Sequence, residues 1–366
     1  MAEPPALDAD RLSAVACAAV GDSSLEVVRW AIEPLAAGAG NPTSDGVFRV
    51  SGLASGEGGS RPWSAILKRL RYPREYPAMG EPRMALYWRR EVEAYRSGFL
   101  DCLPGSVIAP RALLIDEPEP GSAVLWLEDM GSMTSEWRDR ERRSAVGHLA
   151  RLHAAYLTGT SLPGYPWMTM ILARQWYDFM MPTVAPAIDA IRGRARHLTA
   201  LVTLLDDPSA VLNVLESLPQ TLCHHDPNPD NVAPRTREDG GGELVVIDWQ
   251  LVGRGPIGED VGQFLSGLLS RTAVADRDRL ESEVLAAYHA ALIAAGVRIT
   301  VHDVHRGYYC AAALRQGVFA AYLLGERLGS ARTREDTRSA VEDFIRHTRH
   351  GHLPVLAARA RTLSGG

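Results

Sequence analysis

The chain has 366 residues, of which 46% are hydrophobic and 23% are charged, and its formal net charge at neutral pH is −5. This composition is that of a soluble globular protein, and the length is about twice what one compact core fills, which predicts two lobes. The mildly negative charge gives no electrostatic reason to expect nucleic acid or a membrane surface as a partner. No apolar run reaches the roughly 18 residues of a membrane span, and the first residues lack the pattern of a secretion signal, so we expect a cytoplasmic protein.

The N-terminal third has the pattern of a small antiparallel sheet with two helices. Helices are predicted over 10–20 and 82–97, the second with a proline suited to its first turn. Apolar or alternating runs typical of strands cover 25–35, 47–54, 63–70, 109–115 and 123–128. The first three runs are separated by glycine-rich turns, which predicts an antiparallel meander.

The linker between the first two strands, 37–46, is rich in small residues. It contains Gly38, Gly40 and Ser44, and it is small and flexible enough for backbone amides to approach a phosphate. The same composition is typical of any hairpin loop. We therefore expect phosphate binding here from the position of the linker more than from its composition.

Beyond about residue 132 the pattern changes to long helices. These are predicted over 134–157, 169–180, 184–205, 210–218, 258–269, 277–295, 302–324 and 334–348. An irregular segment, 221–234, leads into one apolar strand at 244–247. The fold class is therefore α+β, with a small β-rich N-terminal lobe over 1–131 and a larger helical lobe over 132–366.

One basic residue differs in type from all the others. Lys68 is the only lysine, and the other 38 of the 39 basic residues are arginine. A bias toward arginine codons explains the excess, but a single retained lysine also indicates a position where a compact ammonium and a broad guanidinium are not interchangeable.

The segment His224–Val232 concentrates polar chemistry. It is stiffened by two prolines and contains Asp226 and Asn231, and Asp248 follows 17 residues after Asn231, at the end of the apolar strand. Two carboxylates and a carboxamide on rigid supports can orient a hydroxyl and bind Mg²⁺ through hard oxygen ligands, as phosphoryl transfer requires.

The pattern His-x-Asp-x-x-x-x-Asn followed by Ile-Asp-Trp resembles the catalytic loop and metal-binding aspartate of the aminoglycoside phosphotransferase and choline kinase superfamily. Lys68 in Ala-Ile-Leu-Lys is similar to the nucleotide-binding lysine of that family, and Glu91 is similar to the helix glutamate that pairs with it. The resemblance covers most of the chain. It implies a protein-kinase-like fold of two lobes.

Further segments carry the same resemblance. The segment 127–131, with Glu128, Asp129 and Met130, looks like the hinge that contacts adenine. The segment 255–261 is similar to the one whose aspartate, here Asp260, braces the catalytic loop. The cofactors implied are ATP and Mg²⁺.

The resemblance also implies a role for each residue of the loop. Asp226 would accept the proton of the substrate hydroxyl, and Asn231 and Asp248 would bind Mg²⁺. Lys68 would hold the α and β phosphates, and His224 would be structural, packing beneath the loop. In the helical lobe, Trp249, Asp230 and Asp178 are candidates for substrate contact, Trp249 because it follows the metal aspartate and would face the substrate.

Other readings of the same residues are less favoured. Trp249-Gln250 replaces Phe-Gly, which disfavours a protein kinase, and the chain contains no P-loop motif. His224, His225 and Asp226 could be metal ligands of a hydrolase, but adjacent residues of an extended chain point to opposite faces. Cys223 next to the histidines could be a nucleophile, although a buried structural thiol is the ordinary reading.

We therefore predict an ATP-dependent O-phosphotransferase acting on a small-molecule hydroxyl, working as a monomer or homodimer. The acceptor could be an antibiotic such as an aminoglycoside, or a metabolic sugar, amino alcohol or sterol-like alcohol. A kinase-fold protein that binds nucleotide without turnover is the alternative of a different class. The intact set Lys68, Asp226, Asn231 and Asp248 argues against it.

Overall fold

The computed structural model describes residues 5–35, 41–133, 136–237, 239–349 and 351–365. The chain divides into two compact units. The first comprises Met1–Leu103, Val107–Met133 and Val245–Gln250, and the second comprises Pro104–Ser106, Thr134–Leu244 and Leu251–Gly366. The short segment Val245–Gln250 thus carries Asp248 into the first unit.

The first unit is built on a five-stranded antiparallel sheet with strand order β1-β2-β3-β6-β5. Its elements are α1 (Ala9–Val20), β1 (Glu26–Pro34), β2 (Ser44–Gly56), β3 (Gly59–Arg71), α2 (Arg90–Arg96), β4 (Val107–Ile108), β5 (Ala112–Asp116) and β6 (Ser122–Glu128). The predicted meander is confirmed. In the central strand β3, Lys68 lies opposite Val47 of β2 and Leu125 of β6.

Helix α1 covers one face of this sheet. It begins after Asp8, whose carboxylate accepts a hydrogen bond from Arg11 N at 3.0 Å, and it ends at Gly21, whose φ of 78° terminates a helix without strain. Leu12 and Val15 pack with Phe48 and Trp63 in the core of the unit. Burial of these apolar side chains fixes the sheet from which Lys68 projects.

The predicted helix over 82–97 is wrong in its first half, because only Arg90–Arg96 is helical. The buried Arg90 side chain explains the difference. Its guanidinium donates to the carbonyl oxygens of Ala85 at 2.6 Å, of Pro82 at 3.4 Å and of Met84. A side chain therefore satisfies carbonyl groups that a helix would satisfy with its own backbone.

The second unit is mainly helical. Its elements are α3 (Asp139–Thr158), β7 (Thr169–Met170), α4 (Leu172–Ile191), α5 (Thr199–Asp206), α6 (Ser209–Ser217), β8 (Gln220–Cys223), β9 (Val232–Thr236), β10 (Gly242–Val246, whose last residues belong to the first unit), β11 (Gly253–Pro256), α7 (Glu259–Ser270), α8 (Arg277–Ala294), α9 (Val301–Ser330), α10 (Arg334–Arg349) and α11 (Leu353–Ser364). The 30-residue helix α9 begins at a capping box formed by Thr300 and Asp303.

Within the described ranges no single helix is both long enough and apolar enough to span a membrane, although the bent pair Arg196–Asp206 and Ser209–Ser217 together has the required length and composition.

Two predicted helices of the second unit have different bounds in the structure. The expected break near residue 182 is absent because α4 continues through Pro182 and Pro186, with a continuous buried face that includes Val184 and Ile188. The chain turns instead near Gly193, which has a φ of 71°. Packing of the apolar face therefore outweighs the helix-breaking tendency of the two prolines.

Helix α11 and the strands β8, β9 and β11 were not predicted. The segment of β11, Gly253–Pro256, contains two glycines and a proline, which are poor strand formers, yet it pairs with β8 antiparallel and with β7 parallel. This pairing anchors β8, the strand that leads into His224–Val232.

Candidate active site

Lys68 forms the centre of a charged cluster in the first unit. The residue is 8% exposed, and its Nζ lies 2.5 Å from Glu91 Oε2 and 2.6 Å from Asp248 Oδ1. Burial alone would lower the pKa of Lys68, but the two adjacent carboxylates more than offset this and raise the pKa above the ordinary lysine value. The ammonium therefore stays charged at neutral pH.

Glu91 joins strand β3 to the segment that follows β10. It is 1% exposed, and while Oε2 pairs with Lys68, its Oε1 accepts a hydrogen bond from Trp249 N at 3.3 Å. The prediction that Trp249 faces a substrate is wrong. Its ring is fully buried and its Nε1 donates to Val246 O at 2.9 Å, so the indole is a structural anchor.

Asp248 stands at the end of this anchored segment with a backbone φ of 66°, a left-handed conformation uncommon outside glycine. Its Oδ2 accepts a hydrogen bond from Gln250 Nε2 at 3.4 Å. Gln250 Oε1 in turn accepts from Asn41 Nδ2 at 2.6 Å, and Gln250 O accepts from Arg90 Nη1 at 3.0 Å. Three residues that the sequence analysis missed, Asn41, Arg90 and Gln250, thus fix the position of Asp248.

Three other predicted nucleotide-binding residues belong to the linker over 37–46. Gly38 and Gly40 lie outside the described residues, and Ser44 is the first residue of β2, where its Oγ accepts a weak hydrogen bond from Gly46 N at 3.4 Å.

At the predicted hinge, side chains are engaged in ion pairs within the first unit. Glu128 Oε2 lies 3.1 Å from Arg111 Nε, and Asp129 Oδ2 lies 2.8 Å from Arg49 Nε. Met130, next in the chain, is partly exposed. Both carboxylates of this segment are therefore paired with arginines of the same unit.

In the second unit, the loop between β8 and β9 folds around Asp226. Asn231 Nδ2 donates to Asp226 O at 2.9 Å and to Asp226 Oδ2 at 3.2 Å, and Asn228 Nδ2 donates to the same carboxylate oxygen at 3.3 Å. Because the amide nitrogen of Asn231 is used in this way, its Oδ1 is the atom that would bind a cation. The loop thus brings together a carboxylate and a hard oxygen donor.

A buried carboxylate at the start of α7 supports the loop from behind. Asp260 is fully buried and accepts hydrogen bonds from His224 N and His225 N, both at 2.8 Å, and its Oδ2 lies 3.1 Å from His153 Nε2. Burial opposes ionisation, but the hydrogen bond from His153 and the neighbouring imidazoles outweigh it and lower the pKa of Asp260 to about 2. An ionised Asp260 therefore holds two consecutive backbone amides.

Arg315 of α9, which is 89 residues away from Asp226 in the sequence, also contacts the loop. Its guanidinium donates to His225 O, and its Nη2 lies 3.2 Å from Asp226 Oδ1. The sequence gives no local signal for this residue, which lies on a long helix without a motif. The carboxylate of Asp226 is therefore held by side chains on both of its oxygens.

The two alternative readings of the histidine pair receive no support. His225, at a φ of 68°, places its Nδ1 2.8 Å from Glu259 Oε1, while His224 Nδ1 accepts from Asp226 N at 3.2 Å. Cys223 is fully buried, and burial raises the pKa of its thiol well above the ordinary value. A buried, protonated thiol is a poor nucleophile.

Two predicted substrate residues are exposed carboxylates. Asp230 pairs with Arg271, and Asp178 lies on α4. Asp230 N also donates to Asn228 Oδ1 at 2.9 Å, so its backbone, and not its carboxylate, is linked to the hydrogen bonds around Asp226.

Comparison with known proteins bears on family and fold. Residues 89–306 match the model of the phosphotransferase enzyme family, designated APH, over more than half of the chain. No curated protein matches the chain. Similar solved structures include a choline kinase from Cryptosporidium parvum Iowa II (TM-score 0.54, 9% identity, covering 98% of this chain and 100% of that chain) and the amicoumacin kinase hAmiN in complex with AMP-PNP, Ca²⁺ and Ami (TM-score 0.51, 12% identity, 88% of each chain).

A third similar structure is the GDP and kanamycin complex of APH(2")-IIia, with a TM-score of 0.50, 12% identity and coverage of 93% of this chain and 99% of that chain. At such identities the similarity identifies the fold. The predicted kinase-like α+β fold, with an antiparallel N-terminal sheet and a helical C-terminal part, is confirmed.

Proposed function

The chain belongs to the phosphotransferase enzyme family, and from this premise we propose that it transfers the γ-phosphate of Mg·ATP to a hydroxyl group of a small molecule. The proposal concerns the nucleotide, the metal and the alcohol acceptor.

The observation that carries the proposal is the ion-paired ammonium of Lys68. A buried lysine between two carboxylates, 2.5 and 2.6 Å away, is expensive to desolvate, so its presence favours a function over simple stability. It is also the single lysine of a chain that otherwise uses arginine. A compact ammonium is suited to bind the α and β phosphates of ATP, and the ion pair with Glu91 fixes the orientation of the Lys68 side chain.

Asp248 and Asn231 are the proposed ligands of the divalent cation. One offers a carboxylate and the other an amide oxygen, and this donor set of hard oxygens fits Mg²⁺. When bound, the metal neutralises charge on the phosphates during transfer. Asp248 is held in place by Gln250, and Asn231 is held by its own hydrogen bonds to Asp226.

Asp226 is the proposed acceptor of the proton from the substrate hydroxyl. Asn231 and Asn228 orient one of its oxygens, and Arg315 orients the other. A carboxylate fixed in this way aligns the attacking oxygen and removes its proton as the new bond to phosphorus forms. Asp260 contributes by holding the backbone of His224 and His225.

Among alcohol acceptors, an antibiotic and a metabolic alcohol use the same transfer residues. The choice between them depends on the part of this chain that holds the acceptor. Use of ATP supports a cytoplasmic site of action.

The test is an ADP-release assay with Mg·ATP and a panel of hydroxylated compounds, run on the wild type and on Asp226→Asn. We expect the substitution to lower kcat by about a hundredfold or more and to leave the Kd for ATP unchanged, since Asp226 does not contact the nucleotide in the proposed mechanism. Asp189→Asn, which changes an exposed carboxylate of α4, is the matched control. Unchanged turnover combined with a large loss of ATP affinity would contradict the assignment.

A further inference from the structure

The second unit contains a cavity of about 710 Å³ between α7, α9 and α10. Every lining residue lies in that unit. Pockets that bind small molecules have volumes of roughly 300–1,000 Å³. The cavity is therefore large enough for a drug-sized ligand.

Two lining residues of this cavity, Ser266 and Gln316, are sequence neighbours of residues that contact the loop carrying Asp226. Ser266 of α7 lines the cavity, and a Cβ on the next residue, Gly267, would lie only 2.3 Å from Pro229 Cδ. On α9, Gln316 lines the cavity and follows Arg315, which contacts Asp226. Ser266 and Gln316 are therefore each one residue away in the sequence from a residue that contacts the loop.

The cavity extends along α9. Gln316, Phe319, Leu323 and Arg327 line it, and their spacing of three to four residues places them on one side of the helix. With a rise of 1.5 Å per residue, the distance along the axis from Gln316 to Arg327 is about 16 Å. This side of α9 is therefore long enough to cover the body of an extended acceptor.

The wall of the cavity is mainly apolar. Phe319 and Leu323 are 50% and 49% exposed although both are large hydrophobic residues, and they lie one helical turn apart. Leu269 and the partly exposed Phe344 also line the cavity. A ligand that covered this surface would gain hydrophobic free energy in proportion to the apolar area removed from water.

The charged groups around this wall do not favour a polycation. Arg277 and Arg327 contribute two positive charges, and among the described lining residues Glu326 is the only acid. A ligand with several ammonium groups would meet an unfavourable potential and would find few carboxylates to pair with.

We propose that this cavity is the acceptor site and that the acceptor is a neutral or anionic hydroxyl compound with an apolar body, not a polycationic aminoglycoside. The assignment rests on the proposed phosphotransfer. Phe319 and Leu323 are then residues that determine specificity, because they contact the body of the acceptor away from the reacting hydroxyl.

The first experiment measures binding and does not depend on turnover. 8-Anilinonaphthalene-1-sulfonate, an apolar anion that fluoresces in apolar sites, is titrated with the full chain and then displaced with deoxycholate, a hydroxylated apolar anion, or with kanamycin. We expect deoxycholate to displace the dye and kanamycin at the same concentration to leave it bound. Displacement by kanamycin as effective as that by deoxycholate would overturn the proposal.

Two substitutions on the same helix locate the binding. Leu323→Glu places a charge on the cavity wall and should weaken dye binding about tenfold, the loss expected from one apolar contact surface. Val301→Glu is the matched control, since Val301 is 48% exposed and lies at the other end of α9, so affinity should stay within about twofold. Equal dye affinity in wild type and Leu323→Glu would overturn the assignment of the cavity.

A second experiment separates this inference from the proposed function. For any acceptor that the enzyme turns over, Leu323→Glu should raise the acceptor KM about tenfold and leave both kcat and the KM for ATP unchanged. Turnover of a polycation whose KM is insensitive to Leu323→Glu would overturn the inference while the phosphotransferase function stands. Failure of the chain to bind Mg·ATP would instead overturn the proposed function, and the dye titration would still report whether the cavity binds apolar anions.

Discussion

In the first unit, Lys68 is held directly by side-chain charges, whereas in the second unit the loop that carries Asp226 is also held through two of its backbone amides. The ammonium of Lys68 contacts carboxylates from α2 and from the segment after β10, which are separated from it by 23 and 180 residues. The loop that contains Asp226 is fixed by the backbone amides of His224 and His225, which donate hydrogen bonds to the buried carboxylate of Asp260.

This difference shows that a site can be fixed by side-chain identity or by backbone support. In the lysine cluster, a substitution that keeps the charge but alters its shape should damage function without unfolding the chain. At the loop, a substitution that removes the charge of Asp260 but keeps its shape should affect stability and the position of the loop together. The following predictions test this contrast.

The largest effect is expected at Asp248. Replacing it with Ala removes the proposed metal ligand and one of the two partners of Lys68, so kcat should fall about a thousandfold or more, the scale of losing transition-state charge stabilisation. The fold should persist because Trp249 and β10 remain packed. Magnesium-dependent turnover is measured alongside circular dichroism, with Asp10→Ala as the control at an exposed position of the same unit.

If Asp248→Ala turned over substrate at close to the wild-type rate, Asp248 would not be a required metal ligand. Lys68 and Glu91 would then be a structural ion pair.

Lys68→Arg comes next. The planar guanidinium is broader than the ammonium and cannot approach Glu91, Asp248 and the phosphates in the same geometry, so kcat/KM should fall about a hundredfold. The melting temperature should change little because the positive charge is kept. Arg69→Lys, the reciprocal exchange at the next residue of β3, where Arg69 pairs with Asp45, should leave activity unchanged. Activity of Lys68→Arg within a few-fold of the wild type would mean that the single lysine reflects codon usage.

Acid stability tests the loop. The pKa of Asp260 is lowered from 3.8 to about 2 in the folded chain, so its stabilisation is present above pH 4 and is lost as the pH falls toward 2. The loss amounts to about 2 kcal/mol in the free energy of unfolding. Urea unfolding of wild type and Asp260→Asn at pH 5 and pH 2.5 measures it. The free energy of unfolding should fall more for the wild type than for the variant over this interval. Equal losses would contradict stabilisation of the loop by an ionised Asp260.

The smallest effect is expected at Arg315. We place it as a positioning residue, since it contacts Asp226 and His225 O. Arg315→Gln should lower kcat about tenfold through misalignment of the carboxylate and leave the KM for ATP unchanged. Arg315→Lys should recover part of the loss because it keeps the charge. Arg346→Gln, at an exposed position of α10, controls for loss of a positive charge. An unchanged kcat in Arg315→Gln would remove Arg315 from the site.

The sequence predicted those parts of the site that local patterns carry. Lys68 lies within a run that has the pattern of a strand, and Asp226, Asn231 and Asp248 form a spaced motif. Arg315 could not be predicted, because 89 residues of chain separate it from Asp226 and only the packing of α9 joins them. Gln250 had a weak signal in its closeness to Asp248, whereas the burial of Trp249 follows from tertiary packing alone.

Fold prediction failed where tertiary contacts outweigh local propensity. The helix over 82–97 was too long because the side chain of Arg90, and not the backbone, satisfies three carbonyl groups. The sequence predicts two helices in place of α4 because prolines normally end helices. In the structure, the buried apolar face of α4 keeps the helix continuous through Pro182 and Pro186. The antiparallel sheet was predicted well because strand alternation and turn residues are both local signals.

The single lysine also makes the chain its own chemical reporter. A reagent that acylates side-chain amines has one target, Lys68, and that amine is protonated and held between two carboxylates, so it should react slowly until the ion pairs open. Acylation blocks tryptic cleavage between Lys68 and Arg69. The ratio of cleaved to uncleaved peptide, measured by mass spectrometry, therefore reports how often the ion pairs of Lys68 with Glu91 and Asp248 open in solution. No engineered label is needed.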